Sequence, residues 1–216
     1  MTRRVAGVVL AGGASRRMGR PKAGLPFGRG TLLDRCIALV RGAADEVWIS
    51  TADADSAGAL EAVSAGASVR GVTGFIHDAA PGRGPLAALH TVLRQLARPV
   101  LFVACDLPFL APDDLLALTR MRTAAPAVVL ADDDGPQPLA AFYRPEIVRL
   151  IEARLAAGEF AMRDLLAHAR FDTLRARDVA PGCAPLANIN TEDDYARAVR
   201  AAVGAGLISF ASVVPD

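Results

Sequence analysis

The feature that most constrains this chain is the point where an apolar run, residues 5–10, breaks into Ala11-Gly12-Gly13-Ala14-Ser15-Arg16-Arg17-Met18-Gly19-Arg20-Pro21-Lys22. A strand-length apolar segment that ends in two adjacent glycines delivers a sharp turn with no Cβ in the way. Successive backbone N–H groups can then face one anion. Arg16, Arg17, Arg20 and Lys22 add full positive charges close by, the guanidinium fork for phosphoryl oxygens and the lysine as a compact point charge. The combination predicts a triphosphate site at a strand end. Two other glycine-rich loops are excluded. A Walker loop needs Lys directly after its last Gly, whereas Gly19 is followed by Arg20-Pro21-Lys22. The G-x-G-x-x-G dinucleotide fingerprint opens a helix at once, and neither the spacing nor Pro21 allows that.

Downstream, apolar spacing alternates between strand and helix. Residues 32–40 read as a helix, 47–49 as a buried strand, 56–65 as a helix and 69–76 as a weaker third strand. Residues 85–96 read as a helix. Residues 100–105, Val-Leu-Phe-Val-Ala-Cys, are apolar on both alternating faces, as in a central parallel strand covered by helices on each side. Pro112 opens another helix with acidic residues in its first turn, and 128–130 and 139–143 read as strands around an Asp132-Asp133-Asp134-Gly135 turn. Pro145 starts a helix that Gly158 ends, and Thr191 with Asp194 is a capping pattern for a last helix. Strand–helix–strand units of this kind make right-handed crossovers and an α/β fold with a mostly parallel sheet. One domain over residues 1–204 is expected, with 205–216 a tail of unassigned role.

The chain has 216 residues, 52% of them hydrophobic, enough for one sizeable domain. Lys+Arg 24 against Asp+Glu 23 leaves a net charge of +1, too little for a broad phosphate-backbone surface, so no nucleic-acid partner is expected. Apolar runs are of strand length and no charged-then-apolar leader opens the sequence, so neither membrane association nor export is expected, and a cytoplasmic location is. Cys36, Cys105 and Cys183 are odd in number and lack metal-site spacing; they are expected to be reduced, packing thiols.

In an open α/β sheet, ligands bind beyond the C-terminal strand ends. The first strand delivers the glycine-rich loop and Lys22, the run at 100–105 delivers Asp106, and the segment before the 85–96 helix delivers Asp78 and Gly82-Arg83-Gly84-Pro85. One carboxylate opposite a phosphate loop suffices for Mg²⁺, which takes the rest of its ligands from substrate and water. His77, His90 and His168 are scattered and pair with no nucleophile. That suits phosphoryl-type transfer, in which an ionised acceptor needs no base.

The ordered set LAGGASRRMGRPK, GRGPLAAL, CDLPFL, QPLAAFY and NINTEDDY resembles the molybdenum cofactor guanylyltransferases, from about residue 5 to residue 199. The resemblance implies a single-domain, Rossmann-like, three-layer nucleotidyltransferase fold and transfer of GMP from GTP to molybdopterin, with Mg²⁺ as cofactor and pyrophosphate released. It implies that Leu10, Ala11, Gly12 and Gly13 line the nucleotide, with Arg17 and Lys22 on its phosphates and Asp106 on the metal. Ser50 and Asp78 fall at the nucleoside, Gly84 and Pro85 on the wall beside it, and Gln137, Pro138, Asn188 and Asn190 on the pterin side. Such an enzyme is expected to act as a monomer, in transient contact with cofactor-inserting proteins or apo-molybdoenzymes. Three positions depart from the family pattern: Ser50 for a common Asn, Ala88 for Gly and Glu192 for Pro. Ser50 bears on base choice, since a hydroxyl cannot reproduce both faces of an amide. The alternatives are a CTP-dependent cytidylyltransferase and a non-catalytic carrier that delivers the cofactor.

Overall fold

The computed structural model describes residues 4–11, 21–63, 69 and 71–209. Its strands are β1 (Ala6–Leu10), β2 (Pro26–Phe27), β3 (Gly30–Thr31), β4 (Glu46–Thr51), β5 (Gly74–His77), β6 (Val100–Ala104), β7 (Ala127–Asp132), β8 (Gly135–Tyr143) and β9 (Phe171–Arg175). Its helices are α1 (Leu32–Arg41), α2 (Ala54–Val63), α3 (Gly84–Leu96), α4 (Pro112–Arg120), α5 (Val148–Ala156), α6 (Met162–His168) and α7 (Glu192–Gly204). Seven strands form one sheet in the order β5-β4-β1-β6-β8-β7-β9, and β2 and β3 form a small hairpin. β5, β4, β1 and β6 are mutually parallel, as are β7 and β9, and β8 runs against both its neighbours.

The helices form because their ends are capped and one face of each is apolar. Thr31 accepts from the Asp34 N–H while Asp34 reaches back to the Thr31 N–H, and Thr191 with Asp194 repeats the arrangement at α7. Proline lies in the first turn of α3 and α4. Alternate strand residues then feed two cores. Val9, Ile49, Leu101, Val103, Val128 and Phe142 meet α1, α2 and α4 on one face of the sheet. Val8, Ile76, Phe102, Val129 and Tyr143 meet α3, α5 and α6 on the other. At about 1.5–3 kcal/mol for each fully buried aliphatic or Phe side chain, these faces supply most of the folding drive. A third, smaller core holds Leu25, Phe27, Leu32, Phe109, Cys183, Ile189, Ala198 and Ala202, joining the β2–β3 hairpin to α7.

Three expectations need correction. The central strand β6 is buried on both faces, but only β1 is a parallel neighbour; β8 lies antiparallel on its other side. Burial by helices on both faces makes a strand uniformly apolar whatever its neighbours' direction, and β8 is the return arm of a hairpin from β7. The third strand occupies only Gly74–His77, because Val69 lies in a helical turn closed by the Val72 N–H on its carbonyl. β8 starts at Gly135, not Leu139, and its register on β7 jumps from Val129↔Ala141 to Leu130↔Gln137. Pro138 has no N–H to offer a ladder, so the irregularity falls where proline is tolerated. The seven-residue α6 and the half-exposed edge strand β9 have too little periodicity to be read from sequence.

Candidate active site

β1 is the switch point of the sheet: β4 follows it on one side and β6 lies on the other. Backbone hydrogen bonds bring the strand ends here into step. The Ala11 N–H donates to Ser50 C=O, Cys105 N–H to Leu10 C=O, and Asp78 N–H to Thr51 C=O. Leu10, Ala11, Ser50, Asp78 and Asp106 are thereby placed along one edge. Gly12, Gly13 and Arg17 lie outside the described residues.

Past the loop, a 3-10 turn at Lys22–Gly24 presents Lys22 toward Asp106. Its Nζ donates to Asn190 Oδ1 at 2.8 Å and to Asp106 Oδ2 at 3.3 Å. Residues 84 and 168 positions apart from Lys22 thus meet at one ammonium group. The Asn190 segment is held there by the Ile189 N–H on the Asp106 carbonyl, 3.0 Å. Next along, Gln137 Nε2 donates to Asn188 Oδ1 at 2.9 Å while its Oε1 accepts from the Leu139 N–H. Pro138 follows, its carbonyl accepting from the buried Tyr143 hydroxyl.

The electrostatics separate bound from open oxygens. Burial raises the Asp106 carboxyl above its ordinary value, and the Lys22 charge and hydrogen bond partly offset it. Its Oδ1 is buried with no hydrogen-bond partner. On the other flank, burial pushes Asp78 up to about 6, and its Oδ1 is likewise unpartnered. Ser50 is fully buried and its Oγ also lacks a partner. Its register partners, Leu10 and Ile76, belong to the α3-side core. Buried polar atoms ordinarily find partners within the fold. Three of the seven such side-chain atoms among the described residues lie along this one edge, which makes it the candidate site for an exogenous polar molecule.

Gly84 and Pro85 open α3 at the same edge. Gly84 has φ +77, so glycine is required there by backbone conformation. Sequence reasoning missed its neighbour Phe160, whose carbonyl faces Gly84 and whose ring lies 5.7 Å from the Arg83 guanidinium carbon. A lone aromatic after Gly158 carries no signal of that contact. Two of the histidines have other partners: His77 Nδ1 is 2.9 Å from Thr51 Oγ1, and His90 faces Glu152.

The family model for the MobA-like NTP transferase domain matches residues 7–175. The chain belongs to the MobA-like NTP transferase family. It is 36% identical over 198 residues to a probable molybdenum cofactor guanylyltransferase of Mycobacterium avium (strain 104), covering 88% of this chain and 92% of the relative. A Bacillus subtilis (strain 168) protein of the same description is 31% identical over 192 residues, covering 87% and 91%. Among solved structures, molybdopterin-guanine dinucleotide biosynthesis protein A from Archaeoglobus fulgidus superposes with TM-score 0.74 at 24% identity, covering 90% and 97%. A Mycobacterium tuberculosis H37Rv protein in complex with manganese superposes with TM-score 0.65 at 21% identity, covering 91% and 98%. The chain is therefore a nucleotidyltransferase, with the three-layer, mostly parallel fold that the sequence predicts. No helix among the described residues is long and apolar enough to cross a membrane.

Proposed function

We propose that this chain transfers a guanylyl group from GTP to the terminal phosphate of molybdopterin, giving the guanine dinucleotide form and pyrophosphate. The observation that carries the reading is the junction of Lys22, Asp106 and Asn190. It joins a cation from the strand-end loop, a carboxylate from the central strand and an amide from the NINT segment within hydrogen-bond reach. The relatives' descriptions support guanine as the base and molybdopterin as the acceptor.

In the transfer, an acceptor phosphate oxygen bonds to the α-phosphorus of GTP, and the bond from that phosphorus to the β-phosphate bridge breaks. The acceptor is already ionised, so no side chain need remove a proton, which agrees with His77 and His90 facing Thr51 and Glu152. Lys22 and, from the loop, Arg17 neutralise phosphoryl oxygens, and Gln137, Asn188 and Asn190 orient the acceptor. The unpartnered Asp106 Oδ1 fits a divalent cation, and Asp106 would hold Mg²⁺ there. When bound, the cation offsets charge that builds on the phosphoryl oxygens. Ser50 and Asp78, with their open polar atoms, would face the nucleoside beside Gly84 and Pro85.

The test is pyrophosphate release by the full chain with molybdopterin and each of GTP, CTP, ATP and UTP. Release with GTP alone is the expected result. Preference for CTP would make the chain a cytidylyltransferase, the reading the Ser50 hydroxyl leaves room for. Tight nucleotide binding with no release from any of the four would leave a carrier.

A further inference from the structure

The three residues at the junction sit on separate limbs that leave the sheet: Lys22 at the start of the limb leading to the β2–β3 hairpin, Asp106 on the limb after β6, Asn190 before α7. Ladder hydrogen bonds stop at Cys105, so the sheet does not by itself set how far Lys22 stands from Asp106. The third core does. Five residues after Lys22, Phe27 packs edge-on against Phe109, three residues after Asp106, with ring centroids 6.1 Å apart. Ile189, whose N–H holds the Asp106 carbonyl, lies in the same core.

A charged side chain reaches into this assembly. Arg35, on α1, donates Nε–H to the Pro108 carbonyl, and its guanidinium carbon lies 5.6 Å from the Phe27 ring centroid. It touches the limb after Lys22 with its face and the limb after Asp106 with its donor. Burial lowers its pKa from the ordinary guanidinium value, so the cation is kept here at a cost that the carbonyl and the ring offset. A surface role for α1 would need none of this.

We propose that Arg35 is a positioning residue that sets the Lys22–Asp106 separation by clamping Phe27 and the Pro108 carbonyl to one another. The inference rests on the proposed function only in taking Lys22 and Asp106 as the transfer site. A guanidinium is required because it stacks and donates at the same time, whereas a lysine ammonium supplies charge without the directed Nε–H.

Crystal structures and steady-state kinetics of the full chain test this, with Arg35→Met, Arg35→Lys, Lys22→Met and the double variant Arg35→Met/Lys22→Met. In both Arg35 variants the Lys22 Nζ–Asp106 Oδ2 distance is expected to lengthen past ion-pair reach of about 4 Å. With GTP and molybdopterin, kcat is expected to fall about tenfold to a hundredfold while KM for GTP moves less than about threefold, since a misplaced pair costs turnover more than binding. The double variant is expected to be no slower than Lys22→Met alone. An unchanged distance, full recovery of kcat in Arg35→Lys, or additive losses would each overturn the proposal. If Arg35→Met does not fold, Arg35→Lys decides. A wild-type chain that turns over no GTP would sink the proposed function alone, because the crystallographic distance still judges Arg35.

Discussion

Asp106 and Asp114 stand eight residues apart, one at the end of β6 and one in the first turn of α4, and both are withdrawn from solvent. They are employed in opposite ways. Asp114 is 1% exposed and closed on the chain: its Oδ2 accepts from the Arg177 N–H at 2.8 Å, and its Oδ1 lies 3.2 Å from Arg177 Nε. Asp106 gives one oxygen to Lys22 at 3.3 Å and keeps the other buried and unpartnered. Neither carboxylate's Oδ1 has a hydrogen bond, but that of Asp114 faces a guanidinium, so this carboxylate, bonded to a peptide N–H and ion-paired, ties down a segment, here the turn that follows β9. Asp106 Oδ1 faces no such cation among the described residues, which costs stability and leaves that oxygen open to an exogenous ligand.

The sharpest way to break this contrast is Asp106→Ala. It is expected to lower nucleotidyl transfer by about a thousandfold or more while changing stability by less than about 1 kcal/mol, read from pyrophosphate release and chemical denaturation. Normal turnover in that variant would remove Asp106 from the site. Asp114→Ala should do the reverse. It removes the acceptor of the Arg177 N–H and is expected to cost about 2 kcal/mol of stability, with the remaining folded protein turning over within severalfold of wild type. Equal losses of activity in the two variants would erase the distinction.

Asp78 extends the comparison to pH. Its folded pKa of about 6 lies above the ordinary carboxylate value of 3.8, so the folded state holds this proton more tightly than the unfolded chain does. The group therefore costs stability above pH 6 and nothing below the unfolded value. Asp78→Asn is expected to stabilise the protein by about 1 kcal/mol at pH 8, allowing for solvent screening of a half-exposed group, with the gain gone near pH 3.5. The same variant should raise KM for GTP. A gain that persists in acid would show that the carboxylate is not what strains the fold. Thr191→Ala is the mildest change: loss of the α7 cap should cost about 1 kcal/mol in thermal unfolding. Because α7 also carries the third core, KM for molybdopterin is expected to drift upward with it.

Much of this architecture was legible because its signals are local. The uniformly apolar 100–105 run, the Thr191–Asp194 cap and the prolines at 85 and 112 each state their own conformation. The motifs at strand ends pointed to an edge, and the family match agrees with the reaction class they implied. What stayed hidden was relational. Nothing around Arg35 announces a bond to Pro108 or a face on Phe27, and Phe160 reaches Gly84 only because α3 and α6 pack on one face of the sheet.

By itself, then, the sequence determined the order of most strands and helices, the β2–β3 hairpin, α6 and β9 excepted, together with a glycine-rich, basic motif after the first strand and a carboxylate after the central strand. Periodicity, capping and backbone permissiveness act over a few residues and can be read in place. Tertiary structure alone decided that β8 inserts antiparallel beside β6, that Asp114 closes on Arg177 while Asp106 stays half open, and that Lys22, Asp106 and Asn190 share one contact. Those outcomes depend on how limbs scores of residues apart fill a common core, and on which buried polar atoms that packing leaves without a partner.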